Sequence, residues 1–296
     1  FNLLERLKSY FTRKLNYSTN SGDRERFSFQ RLEESPIPFD HAPYQDKSVL
    51  VVGAGALGNI MAMALATMGF GTVDYLDYDT IESTNLNRQV LFYDSVGLPK
   101  AAVLAAKHAK MNPKARVRGL VQKLEVQDGV FTPDVLREEG YDLGLDLVDN
   151  LYTRAVLAAY AVLRDMPLVT AASSPTAAEV AVYVPGVTAC LNHIFSDYYE
   201  KGRREEVIRR QSCIQQPDPS VIVTNQVAAA LAALEICGIF DAERYGNPHN
   251  GILKYSTELE PRLGQITVKD VCECYRRKKD IPDMEIKEMK EAAHGR

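Results

Sequence analysis

Between Ser48 and Gln89 the chain reads SVLVVGAGALGNIMAMALATMGFGTVDYLDYDTIESTNLNRQ, an order that few folds accommodate. The apolar run Val49 to Val52 reads as a strand buried on both faces, as in a parallel sheet. Gly53, Gly55 and Gly58 then spell G-x-G-x-x-G at the entry to a helix rich in alanine and methionine. Glycines at these places permit a tight turn and let bare backbone N–H groups approach a phosphate at a helix N-terminus. A second strand, Thr72 to Leu76, ends in Asp77 and Asp79. Asp77 follows the glycines at the distance where an acid meets a ribose hydroxyl pair. These features predict a nucleotide site. The segment after them, Thr84-Asn85-Leu86-Asn87-Arg88-Gln89, is one that a nicotinamide dehydrogenase does not need.

The rest of the chain continues the rhythm. Gly97, Pro99 and Lys100 lead into an alanine-rich helix that Asn112-Pro113 ends. Strands are expected at 116–122, 142–148 and 167–172, with helices at 130–138, from Thr153, and at 221–239. Strands alternating with helices in this way imply a Rossmann-like, doubly wound, mostly parallel α/β sheet. Ala178 to Tyr183 is expected to turn back antiparallel, and 251–256 is expected to pair with 265–268, giving an antiparallel extension. An N-terminal helical arm is expected from Leu3, Leu4, Leu7, Phe11 and Leu15, which recur near helical spacing, followed by a polar linker. The boundaries read as 1–34 for this arm and linker, 35–275 for the main domain and 276–296 for a charged tail. A charged crossover segment lies at about 192–220.

Composition narrows the function. A net charge of −4 gives no global electrostatic case for nucleic acid or an anionic membrane. No apolar run reaches the roughly 18 residues of a membrane helix, since Glu235 interrupts the longest, Val227 to Phe240. Five cysteines and no secretory pattern suit a reducing, cytoplasmic setting. The first residue is Phe1, so the natural start of the chain is expected to be missing.

Residues 45–274 resemble the ThiF/MoeB/HesA family, the bacterial relatives of ubiquitin-activating enzymes. The resemblance rests on G-A-G-A-L-G at 53–58, D-Y-D at 77–79, T-N-L-N-R-Q at 84–89, Lys100, and D-L-V-D-N-L-Y-T-R at 146–154. It implies that 35–275 is an adenylation domain, in which the C-terminal carboxylate of a small protein attacks the α-phosphate of ATP. By the same resemblance, Asp77 holds the ribose, Asn85, Arg88 and Lys100 contact the phosphates, and Asp149 binds Mg2+. Gly55 and Ala56 offer backbone contacts; Ala56 stands where the family most often has glycine. Asp79, Gln89 and Asn150 complete the nucleotide set, the last two by positioning neighbours. The implied partners are a ubiquitin-like or sulfur-carrier protein ending in Gly, a conjugating enzyme, and a second copy in a homodimer. The family's arginine-bearing segment before the first strand is not intact here, and Arg24, Arg26 or Arg31 is the expected replacement.

Cys213 precedes the long apolar helix, where several members of the family carry an acyl or sulfur acceptor. A thiolate there, with Arg209 and Arg210 nearby, suits thioester formation; a cysteine without a catalytic role is the other reading. Cys190-x-x-His193 and Cys272-x-Cys274 stand where many relatives close a structural zinc site with two C-x-x-C pairs. Three cysteines of the core or surface beside an unrelated histidine is the alternative. Cys237, among Leu234, Ile236 and Ile239, reads as core. Sulfur-carrier activation without a thioester, a peptide-modifying adenylase, an inactive scaffold and a dehydrogenase are the competing readings. The last leaves Asn85, Arg88, Lys100, Asp149 and Cys213 without a use.

Overall fold

The computed structural model describes residues 40–127, 130–134, 136, 140–202, 204, 220–258 and 260–278. The chain divides into Phe1–Ala42 and Pro43–Arg296. The second unit carries all of the architecture below. The expected N-terminal arm with Arg24, Arg26 and Arg31, the segment with Arg209, Arg210 and Cys213, and the tail beyond Lys278 lie outside the described residues.

The elements run in order as β1 (Ser48–Val52), α1 (Ala56–Met68), β2 (Thr72–Leu76), α2 (Lys100–Met111), β3 (Arg116–Leu120), β4 (Glu125–Gln127), β5 (Val130–Thr132) and β6 (Leu143–Asp146). There follow α3 (Leu151–Leu163), β7 (Leu168–Ser173), β8 (Ala177–Tyr183), α4 (Leu191–Phe195), α5 (Ile222–Phe240), β9 (Gly251–Ser256) and β10 (Leu263–Thr267). Among the described residues, one sheet has the order β10-β9-β8-β7-β6-β1-β2-β3. From β3 to β7 the neighbours are parallel, and from β7 to β10 they are antiparallel. The expected fold class is therefore observed, including the return of β8 and the β9–β10 pair.

β1, β2 and β6 are almost wholly buried because helices cover both faces, which is why they read as continuous apolar runs. Leu50 and Val52 pack in one cluster with Ala158 and Tyr160 of α3. Val49 and Val51 point the other way, since side chains alternate along a strand. α1 contacts both α2 and α5, and α5 also lies on β7 and β8. Tyr44, Phe70 and Phe240 close that layer with ring centroids 5.2 to 6.0 Å apart. Gly69 ends α1 in the left-handed conformation, φ 91°, with its N–H on the Leu65 carbonyl.

Two expectations are corrected. The helix expected at 130–138 begins instead as strand β5, paired antiparallel with β4 from Glu125↔Thr132 to Gln127↔Val130. Val-Phe-Thr favours a strand, Pro133 ends it, and Phe131 stacks edge-on against Tyr160. The second concerns α5. It is 19 residues long, and by length and composition it is apolar enough to cross a membrane, although Glu235 seemed to interrupt it. Here it packs on α1, β7 and β8, and the half-buried Glu235 accepts a hydrogen bond from the His249 N–H at 2.8 Å. Cys237 is buried in it, as expected.

Candidate nucleotide cleft and thiol–imidazole cluster

The C-terminal ends of β1, β2, β6 and β7 open on a cleft of about 500 Å³, within the range of small-molecule sites. Gly53, Gly55, Ala56, Asp77, Asp79, Asn85, Arg88, Gln89, Lys100, Asp149 and Asn150 all line it. Gly58 does not line it; a side chain there would collide with the Gly53 carbonyl. Gly53 has φ 101°, and a Cβ on it would sit 2.7 Å from the Leu147 carbonyl oxygen. These two glycines are demanded by the fold. Gly55 is not, because a Cβ there would meet nothing closer than Gln89 Nε2 at 3.9 Å. Its bareness leaves backbone open to whatever enters the cleft.

The acidic and basic groups are held before any ligand arrives. Asp77 accepts from the Ala54 N–H at 2.7 Å and from the Asp79 N–H at 2.8 Å. Burial pushes its pKa up, and those two donors and Lys100 oppose the rise. The Lys100 ammonium, itself nearly buried, rests on Asp79 Oδ2 at 2.8 Å. Asn85 closes a capping box with Glu82, accepting from its N–H at 3.0 Å. Arg88 Nη1 donates to Asn87 Oδ1 at 2.8 Å and to the Thr84 carbonyl at 3.2 Å. Gln89 is buried, and its Oε1 has no hydrogen-bond partner among the described residues. Asn150 caps α3 by accepting the Thr153 N–H at 2.8 Å, and Asp149 beside it is exposed to the cleft.

At the other end of the sheet, Cys190, His193, Cys272 and Cys274 bring their ligand atoms within 4.8 Å of one another. Cys190 Sγ lies 3.2 Å and Cys274 Sγ 3.6 Å from His193 Nδ1, and the Cys190 N–H donates to Cys272 Sγ at 3.1 Å. The thiol–thiol hydrogen bond between Cys190 and Cys272 pushes the Cys190 pKa up, aided by burial, and holds that of Cys272 down. Tetrahedral zinc with bonds of about 2.3 Å to sulfur needs ligands roughly 3.8 Å apart, so Cys₃His in this arrangement is compatible with zinc.

Residues 42–274 match the ThiF family. The chain belongs to that family. The yeast Yarrowia lipolytica protein "Adenylyltransferase and sulfurtransferase UBA4" is 33% identical over 153 residues, covering 51% of this chain and 37% of that protein. The Escherichia coli "Sulfur carrier protein ThiS adenylyltransferase" is 31% identical over 170 residues, covering 56% of this chain and 64% of the relative. "tRNA threonylcarbamoyladenosine dehydratase", also of E. coli, is 37% identical over 131 residues, 43% of this chain and 46% of its own. The match thus spans less than two thirds of the length of each of these curated relatives. Among solved structures, E. coli MccB with ATP superposes at TM-score 0.62 and 23% identity, over 78% of this chain and 66% of that one. PaaA superposes at TM-score 0.66 and 19% identity, over 90% and 92%. These likenesses establish the shared fold.

In this ThiF-family chain the cleft also holds residues to which the sequence reading gave no role. Ser173, Ser220 and Asn225 line its far end, where Asn225 Oδ1 accepts from Ser173 Oγ at 2.5 Å. Asn59, inside α1, donates to the Gly55 carbonyl at 3.0 Å and accepts from the Leu91 N–H at 3.0 Å, tying the glycine loop to the segment after Gln89. Arg154 lines the cleft as well. Arg154 was part of a motif; the others follow strand ends or sit in an apolar helix, with only the rule that α/β sites gather at strand C-termini to point to them.

Proposed function

We propose that the chain is an ATP-dependent adenylyltransferase that activates the C-terminal carboxylate of a small ubiquitin-like or sulfur-carrier protein, releasing pyrophosphate. The observation that carries this reading is the convergence of the glycine loop, Asn85, Arg88, Lys100 and Asp149 on one cleft, with Gly55 bare. A carboxylate attacking a phosphate brings two anions together, so fixed cations must offset the charge that develops. Arg88 and Lys100 are placed to do this, Lys100 exchanging Asp79 for a phosphate oxygen. Asp77 takes the ribose, and the Gly55–Ala56 backbone meets the phosphates. Asp149 would hold Mg2+, which supplies further neutralisation of phosphate oxygens. Adenylyltransferase names among the relatives support the reaction class.

The finer reading continues past the adenylate. The Cys213 thiolate displaces AMP to give a thioester, which passes to a conjugating partner. The working form is a homodimer in the cytoplasm, with zinc at Cys190, His193, Cys272 and Cys274.

ATP–pyrophosphate exchange with candidate carriers ending in Gly tests the core of this. Carrier-dependent exchange is the expected result. Absence of exchange with every carrier, together with tight NAD binding, overturns it in favour of a dehydrogenase. Cys213→Ala should keep exchange and lose a thiol-sensitive covalent adduct; an unchanged adduct removes Cys213 from the reaction.

A further inference from the structure

At the cleft wall, Arg154 commits both terminal nitrogens to protein acceptors. Nη1 donates to Thr170 Oγ1 at 2.7 Å and to Asp146 Oδ2 at 3.3 Å. Nη2 donates to the Ala171 carbonyl at 2.9 Å and to the Val148 carbonyl. The Thr170 hydroxyl donates to the same Asp146 oxygen at 2.7 Å. Asp146 and Thr170 are register partners on β6 and β7, and both are buried. One guanidinium therefore spans the ends of two neighbouring strands, and one of its acceptors is the carbonyl of Val148, the residue joined to Asp149.

A buried ion pair seldom adds net stability over apolar packing of the same shape. A planar fork that grips two carbonyls at once does fix backbone direction, which an apolar side chain cannot do. We propose that Arg154, seated on Asp146 and Thr170, is a positioning residue that aims the Asp149 carboxylate at the place where a divalent cation on nucleotide phosphates is bound. This rests on the nucleotide reading of the cleft and needs no carrier or acyl transfer.

The test is calorimetric ATP binding to the full chain with and without Mg2+, with melting temperature as a control. In Arg154→Met and in Asp146→Leu/Arg154→Met, the gain in ATP affinity on adding Mg2+ should fall by about tenfold or more, as for lost outer-shell partners of a metal. Arg154→Lys keeps the charge without the fork and should fall between. A double variant that melts like wild type and keeps the full Mg2+ gain makes the pair packing alone and overturns the proposal. Should the methionine variants not fold, an unchanged Mg2+ gain in Arg154→Lys overturns it by itself. Wild-type chain that binds no ATP overturns both this proposal and the cleft reading. Mg2+-dependent ATP binding without exchange on any carrier overturns only acyl transfer.

Discussion

At the glycine-loop end of the sheet, most of the polar groups come from one stretch of chain, 53–100, joined by the β6–α3 turn. At the antiparallel end, four sulfur and imidazole groups come from two segments, with Cys190 and Cys272 82 positions apart. The first arrangement is local, so order along the sequence is nearly order in space, and the motifs could be read directly. The second is set by how β8, β9 and β10 stack. There C-x-x-H and C-x-C looked like a worn zinc pattern, yet the chain folds them to within ligand distance of one another. Spacing alone is a poor guide where the sheet, and not the loop, does the bringing together.

If the two ends differ in this way, they should respond to different perturbations. The largest effect belongs to the cleft. Lys100→Ala should reduce carrier-dependent exchange on the order of 10³-fold, about 4 kcal/mol of transition-state stabilisation, with little change in melting temperature. An exchange rate within a few-fold of wild type would show that Lys100 only pairs with Asp79.

Acid should come next, through the parallel half. His108, between α2 and β2, is buried with Nδ1 2.7 Å from the Tyr75 hydroxyl, and burial lowers its pKa from 6.5 to about 4. The folded chain keeps it neutral while the unfolded chain takes up a proton below 6.5. Its contribution is therefore complete above pH 6.5, declines as pH falls, and levels off below about 4. The total loss should be roughly 3 kcal/mol. Denaturant titrations from pH 7.5 to 4 should show this slope, and His108→Gln should flatten it. An identical slope in the variant assigns the acid sensitivity elsewhere.

Chelation should act on the antiparallel half. With zinc at a hundredfold excess over its Kd, removal costs about 2.7 kcal/mol, and Cys272→Ser should abolish both the metal content and the chelator response. Metal-free protein of unchanged stability, measured by elemental analysis and thermal melting, would reject the zinc reading.

The smallest effects separate the glycines. Gly55→Ala should alter stability by no more than about 0.5 kcal/mol while weakening ATP binding, whereas Gly53→Ala should cost about 1–3 kcal/mol because of its positive φ and the Leu147 carbonyl. Equal stability losses in the two variants would erase the distinction between fold-required and ligand-required glycines.

Much of this was legible beforehand for identifiable reasons. β1 and β2 announced themselves because burial on both faces needs uninterrupted apolar residues, and the β9–β10 pair was visible as two short strands close in sequence. β5 was misread as the start of a helix because a strand of three residues is too short for periodicity to register. Asp77 and Asn85 were found by position, but their present partners, the Ala54 N–H and the Glu82 N–H, depend on loop closure that no spacing encodes. Arg154 was visible beforehand only as the last residue of the 146–154 motif; its two carbonyl acceptors exist only once β6 and β7 lie side by side.

The cysteine–histidine cluster has one more consequence. With a metal bound, Cys190 and Cys272 become the two ends of a closed ring of chain that contains α5, β9, β10 and position 213. A clasp of this kind restricts the unfolded chain much as a covalent cross-link does. α5 and the β9–β10 pair both lie inside that ring, so metal occupancy would bear on the opening of the helix and of the sheet edge together.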